Sequence, residues 1–171
     1  LDTGNMIASY EYSIEDDDDS LSLQEKLTDL AIANIENILE YNLNNKTLTP
    51  QKNSLATYAT KLSKDESIIN WNEDAETIIA KVKAFAGWPG VQAELFGVKF
   101  KIHQATCFND SDTYLPGTVI NFDHHKFEIK AKKGTIQINK LQLPGKNIIT
   151  YKDLYNSNSQ FSTKIKSYSG K

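Results

Sequence analysis

A change of hydrophobic period near residue 91 constrains this chain more than any other feature. Upstream, apolar residues recur at the three-to-four spacing of helices. From Val91 onward they alternate with polar residues, as in strands with one buried face. The alternating pairs are Phe100 and Ile102, Phe127 and Ile129, and Ile136 and Ile138. Five strands are expected: 91–96, 99–108, 118–122, 126–131 and 135–141. Gly97, Pro116-Gly117, Asp123-His124-His125 and Lys133-Gly134 punctuate them. Five short strands at this spacing suit a small barrel that closes its own edges, with a five-stranded OB-like barrel as the simplest solution.

The upstream half reads differently. Residues 5–14 alternate and predict a strand, and Glu15 to Asp19 form an acidic run expected to be a solvated loop. Ser22-Leu23-Gln24-Glu25 matches a capping box, in which the Ser oxygen accepts an orphan amide and the Glu reaches back. Leu23, Leu27, Leu30, Ala31, Ile35, Ile38 and Leu39 continue it as one amphipathic helix to about Asn42. Residues 44–57 read as an extended connector, and 56–71 as an irregular, partly buried ribbon. A second helix is expected after an Asn72 cap, with Ile78, Ile79, Val82 and Phe85 buried. Gly87-Trp88-Pro89-Gly90 stops it. A further capping box, Thr150-Tyr151-Lys152-Asp153, opens a short helix, and the polar tail from Asn156 is expected to fray.

Composition bounds the function. At 171 residues the chain holds one domain, or a small domain with appended elements. The apolar runs are too short for a membrane span, and a single cysteine, Cys107, excludes an internal disulfide and fits a cytoplasmic setting. Every basic residue is lysine. Residues 1–50 carry eleven acids against two lysines, and the remainder carries seventeen lysines against eleven acids. The basic part is a candidate for a polyanionic partner.

Five motifs then fall in one order. They are Leu1-Asp2-Thr3-Gly4-Asn5-Met6; the run from Ala56-Thr57-Tyr58-Ala59 through Lys61-Leu62-Ser63-Lys64 to Ile69 and Trp71; Phe85-Ala86-Gly87-Trp88-Pro89-Gly90; Pro116-Gly117-Thr118-Val119; and Leu141-Gln142-Leu143-Pro144-Gly145-Lys146. The ordered set resembles the folate-dependent formyltransferase family, in its methionyl-tRNA branch. Ala86 and Gly87 depart from that family's Asn-Pro, and Asn147 stands where a second basic residue is common.

The resemblance implies transfer of a formyl group from 10-formyltetrahydrofolate to the amino group of methionine on initiator tRNA. It implies that Asp2 is the aspartate of an Asn, His and Asp trio whose other members lie in a segment upstream. The chain would then be the C-terminal portion of such an enzyme, catalytically incomplete alone. Residues 1–45 would end a Rossmann-like catalytic domain with a strand and a long helix. Residues 46–72 would be a linker, 73–157 the OB-like tRNA-binding domain with its preceding helix, and 158–171 a flexible tail. The implied phosphate contacts are Lys61, Lys64, Lys99, Lys101, Lys126, Lys130, Lys132, Lys133, Lys140 and Lys146. By strand parity Lys99 pairs with Lys101, and Lys126 with Lys130, on common faces.

No metal and no membrane are expected, and the full-length enzyme is expected to be a cytoplasmic monomer. His103, His124 and His125 match no family motif, and the last two read as solvated turn residues. Cys107 reads as a buried thiol, and Trp71 and Trp88 as core anchors. Gly4 fits a tight turn beside Asp2. Two alternatives stand: a formyltransferase acting on a sugar nucleotide, and a stand-alone OB-type nucleic-acid-binding module.

Overall fold

The computed structural model describes residues 3–43, 48–110 and 113–169. The chain divides into two compact units, Leu1–Leu62 and Ser63–Lys171.

The first unit is built on one long helix, α1 (Ser20–Leu43). It starts earlier than the expected Ser22 cap. The Asp19 carboxylate accepts the amides of Leu21 and Ser22, both at 2.9 Å, and Ser22 Oγ accepts the Asp19 amide at 3.0 Å. The reciprocal box is therefore Asp19 with Ser22. An aspartate caps as well as a serine and adds negative charge at the positive end of the helix dipole.

The acidic run is not uniformly solvated. Asp18 is 5% exposed and accepts from Glu15 N, Ser22 Oγ and, at 2.7 Å, Lys26 Nζ. The Lys26 hydrogen bond, helped by that of Glu15, holds the Asp18 carboxyl at a pKa of about 2. Reciprocally, Asp18 pushes Lys26 up to about 12. The strand expected over residues 5–14 does not form. Its one pairing is the isolated bridge of Met6 with Thr49, at 2.8 and 3.0 Å. Alternation alone does not make a strand; a neighbour must take up the amides, and among the described residues of this unit no strand pairs with the segment beyond that one bridge.

The second unit holds an antiparallel sheet of six strands. They are β1 (Val91–Leu95), β2 (Val98–Phe108), β3 (Val119–Phe122), β4 (Phe127–Lys130), β5 (Thr135–Gln142) and β6 (Ile148–Thr150). The order is β1-β2-β5-β4-β3, with β6 also on β5. β4 pairs with residues 135–137 of β5 and β6 with residues 140–142, while β2 takes the opposite edge. β5 is long enough for two short neighbours on one edge, so the strand count is six rather than five. At the β1–β2 hairpin, Phe96 and Gly97 both have positive φ, 53° and 77°. That is the two-residue turn whose twist matches paired strands.

The helix α2 (Ala75–Ala84) buries Ile78, Ile79 and Val82 against the sheet, as its pattern requires. Its cap is Asp74 rather than Asn72, and no side chain caps it. A backbone carbonyl does the work instead: Ala75 N donates to Lys133 O at 2.9 Å, and Lys132 N returns a bond to Glu73 O. The ribbon before it ends on the edge of β1, where Ile69 N and Trp71 Nε1 donate to Gln92 O and Glu94 O, both at 3.0 Å. That edge is thereby covered.

Thr150 and Asp153 form the expected capping box of α3 (Tyr151–Asn156). The expected frayed tail is instead α4 (Gln160–Tyr168), capped by Ser159 and burying Phe161 and Ile165. The i, i+4 pair closes the core, with the Phe161 and Phe100 rings 5.5 Å apart. The core is centred on Phe127, Ile129, Ile136, Ile138 and Leu141, all fully buried.

Candidate nucleic-acid interface

A bulge in β2 organises the outer face of the sheet. Phe100 and Ile102 point into the core, and the alternation would next place Gln104 inward. The register shifts on either side of Gln104, so His103 and Gln104 are both exposed and Ala105 returns to the core side. Lys101 faces Gln142, and Gln104 faces Lys140. Lys99, Lys101, Lys140 and Gln142 thus share the face opposite Phe100, Ile102 and Leu141. Lys99 with Lys101 is on one face, as parity predicts.

Hydrogen bonds shape this face. Gln142 Nε2 donates to Lys146 O at 2.8 Å, leaving Gln142 Oε1 as acceptor for His103 Nε2 at 3.1 Å. The turn Leu143-Pro144-Gly145-Lys146 closes with Lys146 N on Leu143 O at 3.0 Å. Gly145 at φ 66° meets the positive φ of its third position, and Pro144 presets the second. A cleft of about 330 Å³ results, lined by Gln92, Lys99, Lys101, Gln142 and the 143–145 turn. A second cleft of about 410 Å³, between Ile68–Trp71 and β1, shares Gln92 and Lys99 with it. Such a trough offers ammonium donors and amides to an anionic backbone and carries no base code.

The other candidates are dispersed. Lys132 and Lys133 are exposed on the turn at the far end of β5, held by Gly134. A Cβ on Gly134 would stand 2.9 Å from Phe108 O, and its φ is 80°. Lys126 is half-buried and paired with Glu128 at 2.9 Å. Lys130 is not available as a surface cation. It is 4% exposed and ion-paired with Asp110, which also accepts from Thr135 Oγ. All four β4 residues are buried: Asp110 pairs with Lys130, and Glu128 is held by Asn121 and Lys126. Lys64 is exposed in the second unit and Lys61 in the first.

Sequence reasoning missed Gln92, His103 and Gln142, whose part depends on cross-strand register. It also missed Lys164 and Lys166 of α4. Lys164 donates to Phe96 O at 2.8 Å, and Lys166 lies 4.1 Å over the Tyr155 ring. The Ser159 cap and the Phe161–Ile165 spacing were the available signal for that helix.

Asp2 lies outside the described residues. Nearby, Gly4 O accepts from Gln51 Nε2 at 2.7 Å. Gly4 has open space at its Cβ position and an ordinary φ, so no tight turn demands glycine there. His124 and His125 are exposed on a turn where Asp123 Oδ1 accepts the amides of His125 and Lys126, which lowers the Asp123 pKa. Cys107 is half-buried rather than buried, and desolvation raises its pKa. Trp71 packs partly on the core, but Trp88 is 56% exposed and anchors nothing. Among the described residues, no group of three or more His, Cys, Asp or Glu is placed to hold a metal ion. No helix there is long and apolar enough to cross a membrane.

Comparison with known proteins gives three findings. Residues 61–159 match the family model described as formyl transferase, C-terminal domain. The chain is 35% identical over 172 residues to a methionyl-tRNA formyltransferase of Colwellia psychrerythraea, covering 94% of this chain and 52% of that protein. It is 32% identical to a methionyl-tRNA formyltransferase of Legionella pneumophila, covering 92% and 50% respectively. The chain therefore spans about half the length of these relatives. Among solved structures, a variant of HypX from Aquifex aeolicus superposes with a TM-score of 0.69 at 17% identity, over 91% of this chain and 29% of that one. At that identity the likeness concerns the fold alone.

Proposed function

The chain belongs to the formyl transferase C-terminal domain family, and from that premise we propose that it is the C-terminal half of a methionyl-tRNA formyltransferase whose second unit holds the tRNA. The enzyme would move a formyl group from 10-formyltetrahydrofolate to methionyl initiator tRNA, acting as a cytoplasmic monomer. The observation that carries this reading is the basic outer face. A bulge, a glycine turn and a glutamine bridge shape one cleft lined by Lys99 and the half-buried Lys101, with Lys140 exposed on the same face of the sheet and Lys146 exposed at the end of the turn. Exposed lysines on a preformed groove are what phosphate recognition requires, and each contact releases condensed counterions. Lys61, Lys64, Lys132, Lys133 and, after release from Glu128, Lys126 extend the contact in this proposal. Lys130 is set aside as a structural cation.

The sheet of the second unit is read as an OB-type barrel, and the first unit as the end of a Rossmann-like catalytic domain that contributes the long helix α1. Asp2 is assigned the orienting carboxylate of a histidine, an arrangement that fixes tautomer and stabilises imidazolium. Within the first unit, two clefts lie on open faces of α1. These residues do not form an enclosed cradle for a folate, and this half alone is expected to be inactive in formyl transfer.

Filter binding of an initiator tRNA transcript at rising salt tests the proposal. The expected result is binding at low salt that weakens linearly on a log–log plot. Absence of binding at low salt, or binding flat with salt, overturns it.

A further inference from the structure

Trp88 is a tryptophan that the core does not use. It is 56% exposed, whereas Trp71, on the same unit, packs partly against the core and donates to Glu94 O. Its backbone is nevertheless held firmly. The neighbouring Pro89 and Gly90 are buried. Gly90 N donates to Phe85 O at 3.0 Å and Trp88 N to Ala86 O at 3.1 Å. Gly87 and Gly90 take φ of 79° and 75°, which lets the turn fold back on the end of α2.

The turn is also tied to a cation of the basic face. Lys101 Nζ donates to Pro89 O at 3.0 Å, and its side chain lies at van der Waals distance from a Cβ placed on Gly90. Lys101 in turn lines the cleft with Lys99 and Gln142. An exposed indole on a firmly held turn thus sits one residue from the carbonyl that anchors an ammonium of the groove. An exposed π surface beside backbone-binding cations is the pairing by which proteins hold unpaired nucleotides. The charge of the unit agrees, with fifteen lysines against eleven acids over residues 63–171.

We propose that Trp88 stacks on an unpaired base of the bound RNA while Lys101 and Lys99 take the adjoining phosphates. This rests on the reading of the second unit as an RNA-binding surface and adds to it a specific contact, one that favours a splayed nucleotide over a continuous duplex.

The test uses the 171-residue chain with a tRNA transcript and with a fully paired RNA duplex as probes. Affinity and tryptophan emission are followed for the parent, Trp88→Ala, Trp88→Phe, Trp71→Phe and Lys101→Gln. The proposal expects quenching on tRNA binding that survives Trp71→Phe and is lost in Trp88→Ala. It expects Trp88→Ala to weaken tRNA binding roughly tenfold or more, with Trp88→Phe retaining most of it. Because stacking releases no counterions, Trp88→Ala leaves the salt slope unchanged, whereas Lys101→Gln reduces it by roughly 0.7–0.9. Trp88→Ala is also expected to leave duplex binding unchanged. Salt-sensitive tRNA binding that ignores Trp88→Ala overturns this inference and leaves the broader reading intact. No RNA binding by the parent overturns both. Emission that shifts with protein concentration alone, without RNA, overturns it in favour of a protein-docking face.

Discussion

The two units of this chain bury their apolar residues very differently. In the second, α2, α4 and six strands close on Phe127, Ile129, Ile136 and Ile138, each with no exposed surface. In the first, α1 carries Leu21, Leu27, Ile32, Ile35 and Leu39 at 46–65% exposure, and among the described residues the buried side chain is a charged one, Asp18. Both have amphipathic patterning. The difference is an opposing surface: patterning and caps make a helix, but only a facing layer makes a core. The proposed function divides along the same line. A face that presents lysines in a set geometry needs a sheet behind it, and among the described residues the sheet belongs to the second unit.

The largest effect expected to sharpen this contrast is Phe127→Ala. Removing a fully buried ring should cost about 3–5 kcal/mol in chemical denaturation followed by near-ultraviolet signals. Leu27→Ala on α1 should stay within about 0.5 kcal/mol, as for surface changes generally. Comparable costs at the two sites would dissolve the contrast.

Next comes Lys130→Ala. It leaves the Asp110 carboxylate, 11% exposed, without its cation. A loss of about 3 kcal/mol is expected, since breaking a buried pair removes the compensation its carboxylate had. A Lys130→Ala variant of parental stability but reduced tRNA affinity would return Lys130 to the interface. Gly134→Ala is expected to cost about 2 kcal/mol, because the left-handed φ alone accounts for 1–2 and Phe108 O obstructs a Cβ at 2.9 Å. A neutral Gly134→Ala would mean that the turn bearing Lys132 and Lys133 is not fixed.

The smallest effect belongs to α1. The Asp18 carboxyl, lowered by Lys26, contributes stability that is present above its ordinary pKa near 3.8 and is lost as pH falls towards about 2. Helical circular dichroism should therefore drop over that window, and Asp18→Asn should remove the dependence. A parent signal flat from pH 5 to 2 would contradict the role given to this cap.

The sequence made the second unit largely legible, since the period switch placed five strands and the apolar face of α2 within a residue or two. What it could not carry was register. The bulge that exposes both His103 and Gln104, and the coverage of Lys130 by Asp110, come from pairings of residues far apart in the chain. Local rules were outcompeted twice more. Asp19 took the cap expected of Ser22, and the polar tail hid the two apolar residues, Phe161 and Ile165, that make α4 a structural element. In the first unit the alternation of residues 5–14 was genuine but had no partner strand. Asp2, the residue on which the family resemblance places the chemistry, lies outside the described residues.

The central claim is that the outer face of β2 and β5 contacts RNA phosphates through its lysines. The salt dependence of tRNA binding, compared between the parent and the triple variant Lys99→Gln, Lys101→Gln and Lys140→Gln, tests it most directly. The account predicts that the log–log slope becomes shallower by about two to three, at 0.7–0.9 for each lost phosphate contact. An unchanged slope in a folded triple variant would contradict it.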